Sequence, residues 1–284
     1  MEKKKILVCG SAGFLMSNFI RYLMYMTRET KEFEIVSVDK LKKINDYKRV
    51  YLNKDHKFYI GNIADEYFID RLLFIENPDF IVNGCFYTNQ QANNFNEILT
   101  GTTNLLRAKA PLIQICGCIE PLFDYIGFWN CISKIIENDG ETVIEIPNVF
   151  GCRQRVEPWF SVPWIQNSLL KHKTVKVRDE KFPWVFAEDV ASLIWFVLDN
   201  KIKGHIKMPV LGYLSEKEIA ECIQRLYNID FNICVSKPSF DHDYMVKEYN
   251  GDIINNWKPD SNNINSSLEK TIKWFDHNRW AFNL

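Results

Sequence analysis

The segment that most constrains this chain is its beginning. Lys5-Ile6-Leu7-Val8-Cys9 is an apolar run, Gly10-Ser11-Ala12-Gly13 is a glycine turn, and Phe14-Leu15-Met16-Ser17-Asn18 opens a helical pattern. A buried strand that turns on glycines straight into a helix is the first β-turn-α of a dinucleotide-binding fold. Gly10 lets the chain turn sharply, and Gly13 lets the backbone approach a pyrophosphate at the helix N-terminus. The third position of the G-x-x-G-x-x-G spacing is Met16. A bulky side chain there is expected to disturb helix packing and to reach into the pyrophosphate space.

The same alternation of strand and helix continues along the chain. Ile35 to Val38 is a short buried strand that ends at Asp39. An acid at that strand end hydrogen-bonds the adenosine ribose and repels a 2′-phosphate, which favours NAD over NADP. The plainer alternative is an ordinary loop acid. Further strands are expected at 57–63 (a strand with its exit), 78–83, 111–116 and 142–146, and helices over 14–26, 65–75, 95–110 and 127–138. Six buried strands alternating with helices require parallel pairing and right-handed crossovers, a doubly wound α/β sheet. Past Asn148 the alternation loosens. Helices are expected over 159–171, 187–200 and 263–278, and another runs from a Ser215-x-x-Glu218 capping box to about Tyr227. The expected division is a dinucleotide-binding domain over 1–150. Residues 151–284 form mainly a substrate lobe, with elements packing back on the sheet.

Lys and Arg number 35 against 36 Asp and Glu. This balance argues against nucleic-acid binding, which needs a basic surplus. No apolar run approaches the ~20 residues of a membrane span, and Lys3-Lys4-Lys5 precedes too short an apolar stretch for a secretory signal. The expectation is a cytoplasmic protein without membrane contact. Of eight cysteines only Cys116 and Cys118 are closely spaced, and the five histidines are scattered, so no metal site is readable.

Taken together, several stretches resemble the extended short-chain dehydrogenase/reductases, and among them the NAD-dependent nucleotide-sugar 4,6-dehydratases acting on dTDP-glucose or UDP-sugars. The stretches are 6–15 with Ser17-Asn18-Phe19, Val38-Asp39-Lys40-Leu41, Gly61-Asn62-Ile63 and Gly101-Thr102 with Leu105-Leu106. They continue through Asn148-Val149-Phe150-Gly151 with Arg153-Gln154, Val185 with Glu188-Asp189-Val190-Ala191, and Trp257-Lys258-Pro259. The resemblance implies a Rossmann sheet with a smaller C-terminal substrate lobe, NAD as cofactor, a nucleotide sugar as ligand and a homodimer formed through two helices, roughly 96–110 and 127–138. It implies cofactor contacts from Gly10, Ala12, Gly13, Phe14, Leu15, Asp39, Lys40, Asn62 and Ile63, and nucleotide-sugar contacts from Asn148 and Arg153. Asn148 and Arg153 also read as an ordinary structural turn.

In that family NAD oxidises the sugar at C4 while a Tyr-x-x-x-Lys pair takes the C4 hydroxyl proton, and a Thr-Asp-Glu stretch after the fifth strand assists loss of water. Here Lys134 matches the lysine, but Asn130 stands where the tyrosine belongs. The Thr-Asp-Glu positions fall on Gly117, Cys118 and Ile119, of which only Cys118 is ionisable. A carboxamide is no base near neutral pH. Tyr125, Tyr87 and Glu120 are nearby candidate substitutes, although ordinary loop and packing residues are the preferred reading of them. The two diphosphate-gripping arginines map to about Phe182 and to His242 or Asp243. Two functions are compatible with this pattern: a 4,6-dehydratase or epimerase with rearranged catalytic residues, or a non-catalytic member acting as a nucleotide-binding or scaffold subunit.

Overall fold

The computed structural model describes residues 3–41, 46–51, 54, 56–85, 92–117, 123–156, 161–236, 249, 251–261 and 263–283. They fall into two compact units, Met1–Ile146 with Val190–Met208, and Pro147–Asp189 with Pro209–Leu284.

The first unit is built on a seven-stranded sheet. Its strands are β1 (Lys4–Cys9), β2 (Phe33–Asp39), β3 (His56–Ile60), β4 (Phe80–Asn83), β5 (Leu112–Gly117), β6 (Thr142–Ile146) and β10 (Gly204–Lys207). Their order is β10-β6-β5-β4-β1-β2-β3, with every pair parallel. Ile6, Leu7, Val8 and Cys9 of the central β1 have no exposed surface, as a strand covered on both faces requires. Strand order reverses between β1 and β4, and ligands of such sheets bind at the strand ends beside that reversal. The six expected strands are all present. The seventh, Gly204–Lys207, escapes sequence reading because only Ile206 of its four residues is buried.

Helices α1 (Phe14–Met26), α2 (Glu66–Glu76), α3 (Ala92–Leu106) and α4 (Phe123–Asn138) belong to this unit. Asp65 lies just outside α2 and caps it, accepting the Phe68 N–H at 3.1 Å. Helix α3 stops at Leu106 rather than Ala110. Gly101, which weakens α3 by propensity, has a packing reason. A Cβ there would stand 2.5 Å from Cγ1 of Ile63, so the glycine seats that side chain.

The second unit contains a small sheet, β11 (Gly212–Ser215), β9 (Lys181–Phe186) and β7 (Asn148–Phe150), in that order. Strand β8 (Thr174–Val177) pairs with β12 (Asn232–Val235). Helices α5 (Ser161–His172), α7 (Glu216–Tyr227) and α8 (Ile264–His277) enclose a core that includes Phe150, Leu169, Ile223 and Ile272. Helix α6 (Ala187–Asp199) follows β9 directly. The capping box is formed: Ser215 Oγ accepts the Glu218 N–H at 3.1 Å, and Glu218 Oε2 accepts the Ser215 N–H at 2.8 Å.

Candidate functional site

The glycine turn is held by the neighbouring strand. The amides of Gly10 and Ser11 donate to the Val38 carbonyl at 2.9 and 3.3 Å, and Gly13 N–H donates to Gly10 O at 2.9 Å. Gly10 has φ +75°, a region side chains rarely adopt, and a Cβ there would meet the Gly84 carbonyl at 3.0 Å. A Cβ on Gly13 would stand 2.8 Å from Gly10 O. Both glycines are therefore required by the turn itself. Gly13 is the N-cap of α1 and, being glycine, has no side chain with which to cap it. A helix beginning on a glycine turn without a side-chain cap directs its first amides and its positive dipole end outward, which suits a phosphate.

Asp39 closes the turn from β2. Its Oδ2 accepts the Ala12 N–H at 3.0 Å and its Oδ1 accepts the Leu41 N–H at 2.8 Å. The carboxylate is thus fixed by two backbone donors. Burial, and then the Asp39 charge, push the Cys9 thiol far above its ordinary value, which makes it an inert neutral group.

Lys40 and Asn62 share a partner that sequence reading missed. Glu97 on α3 takes Lys40 Nζ in an ion pair and accepts Asn62 Nδ2 at 2.5 Å, both through Oε1. Asn62 Oδ1 also accepts the Ala64 N–H at 3.1 Å. Ile63 is buried over Gly101, and its carbonyl accepts Asn104 Nδ2 at 2.9 Å. In the first turn of α1, Leu15 is buried, and the Phe14 carbonyl accepts Ser17 Oγ and Asn18 Nδ2.

Met16 corrects the expectation drawn from the sequence. Its side chain is 1% exposed and lies against Gly84, just beyond β4. A Cβ on Gly84 would stand 2.4 Å from Met16 Cγ and 2.7 Å from its Sδ. The thioether thus occupies volume that any side chain at position 84 would need, and it presents no surface at the turn. The glycine missing from α1 is supplied across the interface, at the end of β4.

At the end of β5 few of the described residues carry ionisable side chains. Cys116 is buried, its Sγ lies 3.7 Å from Ser133 Oγ, and burial pushes its thiol up to about 12. A Cβ on Gly117 would meet no atom of the described residues within 4 Å. Cys118, Ile119, Glu120 and Tyr87 lie outside the described residues, as do His242 and Asp243. Asn130 and Lys134 are both exposed on α4, one turn apart. Tyr125 also lies in α4, nine residues before Lys134 in the sequence. At about 100° per residue the two positions are about 180° apart round the helix.

In the second unit Asn148 opens β7 opposite Trp184 of β9. Arg153 has φ +71° and sets its guanidinium 5.6 Å from the Trp274 ring centroid, a cation–π contact. Burial opposes its charged form. Phe182, at one expected diphosphate position, is a core residue of β9. Among the described residues no group of three or more His, Cys, Asp or Glu side chains is placed to hold a metal, and no helix is long and apolar enough to cross a membrane.

No family model matches the chain. A dTDP-D-glucose 4,6-dehydratase of Dictyostelium discoideum is 30% identical over 116 residues, 40% of this chain and 26% of that protein. A trifunctional UDP-glucose 4,6-dehydratase, 3,5-epimerase and 4-keto-rhamnose reductase of Arabidopsis thaliana is 30% identical over 118 residues, 40% of this chain and 17% of that protein. These matches therefore span about a quarter of one relative and a sixth of the other. The crystal structure of dTDP-glucose 4,6-dehydratase from Bacillus anthracis in complex with NAD superposes with a TM-score of 0.81 at 19% identity, covering 99% of both chains. The chain has the α/β fold of that structure, and it resembles the NAD-dependent nucleotide-sugar 4,6-dehydratases of the extended short-chain dehydrogenase/reductase group.

Proposed function

We propose that this chain binds NAD at the Gly10–Gly13 turn, takes a dTDP- or UDP-linked sugar as second ligand, and does not carry out tyrosine-dependent oxidation of that sugar. The observation that carries the cofactor half is the Asp39 carboxylate, fixed to the Ala12 amide beside a helix that starts on Gly13. These residues fit a dinucleotide. Gly10, Ala12, Gly13, Phe14 and Leu15 would hold the pyrophosphate, Asp39 the adenosine ribose, and Lys40, Asn62 and Ile63 the adenine end. Bound NAD supplies a hydride acceptor.

The catalytic half rests on Asn130. A carboxamide cannot take a hydroxyl proton, and loss of one general base typically costs about 10²–10⁴-fold in rate. Tyr125 stands nine residues before Lys134, not the four of the Tyr-x-x-x-Lys spacing. Asn148 and Arg153 are the residues offered to the nucleotide, and the second unit is read as the substrate lobe. A homodimer through α3 and α4 is part of this proposal, and sedimentation as a monomer at micromolar concentration would remove that part.

Calorimetric titration with NAD, dTDP-glucose and UDP-glucose, alongside an assay for 4-keto-sugar formation, tests the reading. The expected result is NAD binding without product. Steady formation of the 4-keto sugar would establish a rearranged enzyme instead. Absence of NAD binding would remove the cofactor half.

A further inference from the structure

Asn83 and Gln114 stand opposite each other on β4 and β5, and neither has any exposed surface. Asn83 Nδ2 donates to Gln114 Oε1 at 2.7 Å, and Gln114 Nε2 donates to the Ile115 carbonyl at 2.9 Å and to the Asn83 carbonyl at 3.4 Å. Buried Thr102 of α3 adds two long contacts, its Oγ1 lying 3.4 Å from Gln114 Oε1 and 3.5 Å from Asn83 Nδ2. This run of donors orients both carboxamides. It turns Asn83 Oδ1 towards the backbone two residues on, where it accepts the Cys85 N–H at 3.1 Å. That amide belongs to the peptide against which the glycine turn is packed. A Cβ on Gly10 would meet Gly84 O, Gly84 C and Cys85 N at 3.0, 3.1 and 3.2 Å. The Gly84 N–H donates to the Cys9 carbonyl at 3.1 Å, just before the turn.

Stability alone does not call for a carboxamide pair here. Two apolar side chains of similar shape can replace a buried hydrogen-bonded pair with little loss, because the pair gains little over the water it gave up. What an apolar pair cannot do is hold the Cys85 amide in one place. We propose that Asn83 is a positioning residue of the dinucleotide site: oriented by Gln114, it fixes the Gly84–Cys85 peptide against Gly10 and so keeps the turn in the form that receives the pyrophosphate. The inference rests on the dinucleotide reading above, and adds to it two strand residues that belong to no glycine motif. Asn83 acts through the backbone it holds. Loss of one such neutral hydrogen bond corresponds to about a five- to tenfold change in affinity.

The test is calorimetric titration of NAD onto the full chain and two variants, with thermal unfolding of each. Asn83→Leu/Gln114→Met replaces both carboxamides by apolar groups of similar shape. It is expected to keep its Tm within about 5 °C of wild type and to bind NAD about five- to tenfold more weakly. Asn83→Asp keeps an oxygen for the Cys85 amide but sets a carboxyl against Gln114 Oε1. It is expected to lose more than about 5 °C in Tm while holding NAD affinity within about twofold. A merely structural role of Asn83 would move stability and affinity together in both variants. Unchanged NAD affinity in Asn83→Leu/Gln114→Met, failure of that variant to fold, or a tenfold loss of affinity in Asn83→Asp would each overturn the inference while leaving NAD binding by the wild type intact. Each variant decides without the other, so poor folding of Asn83→Asp leaves the apolar pair as the test. If the wild type does not bind NAD, the cofactor reading falls and this inference falls with it.

Discussion

Gly84→Ala is the sharpest probe of how this chain tolerates methionine in a glycine motif. The added Cβ would stand 2.4 Å from Met16 Cγ, 2.7 Å from Sδ and 2.9 Å from Cε. Three clashes along one side chain cannot be relieved by moving its tip alone, and Met16, at 1% exposed, has no solvent to move into. Overpacking of this kind costs about 1–3 kcal/mol. Met16→Ala on its own empties the same volume and should cost about 2–5 kcal/mol. In the double variant the new Cβ enters space that the thioether has left. Its total loss is therefore expected to fall short of the sum of the single losses by about 1–3 kcal/mol, the whole of the overpacking term. Thermal and urea unfolding of the four proteins measures this coupling, with about 2–4 °C in Tm per kcal/mol for a unit of 150–250 residues. Strict additivity, or a Gly84→Ala protein as stable as wild type, would refute the reasoning, since either result means the two residues do not share volume.

Three further outcomes are expected. Glu76 is 3% exposed; burial alone would raise its carboxyl, but hydrogen bonds from Tyr59, Lys5 and Lys57 override this and hold it below the ordinary carboxylate value. Its stabilisation is present above the unfolded pKa of about 4.5 and is lost as pH falls through the lower folded value. Glu76→Gln should cost about 1–2 kcal/mol at neutral pH, discounted because both lysines reach solvent, and should flatten the acid limb of a stability–pH curve. His205 bridges Glu145 at 2.9 Å and Glu137 at 2.7 Å, and Glu145 foremost raises its pKa. That contribution is full below about pH 6.5 and disappears as pH rises through the raised folded value, so His205→Gln should remove a stability difference between pH 6 and 8. Gly117→Thr should fold with a stability change within about 0.5 kcal/mol, as its Cβ meets no atom of the described residues within 4 Å, and a Tm drop of 10 °C would contradict this.

How far the sequence discloses this molecule depends on how local each interaction is. Strand β1, the glycine turn, the end of β2 at Asp39 and the Ser215 capping box are all written in a few consecutive residues, and each stands where the pattern puts it. Gly84 and Glu97 were not legible. Each acts on a partner far away in the chain, and neither belongs to a recurring spacing. The same distinction separates the two kinds of departure from the family pattern. Met16 is a loss of space, and space can be returned by any neighbour of complementary volume, here a glycine on another strand. Asn130 is a loss of a proton acceptor, which only an ionisable atom at one position can return. Lys134 stands one turn away from Asn130 on α4. A motif residue concerned with packing can thus be replaced while its site survives. A motif residue that moves a proton has far fewer substitutes, which is why we read the dinucleotide half of this chain as kept and the proton-transfer half as given up.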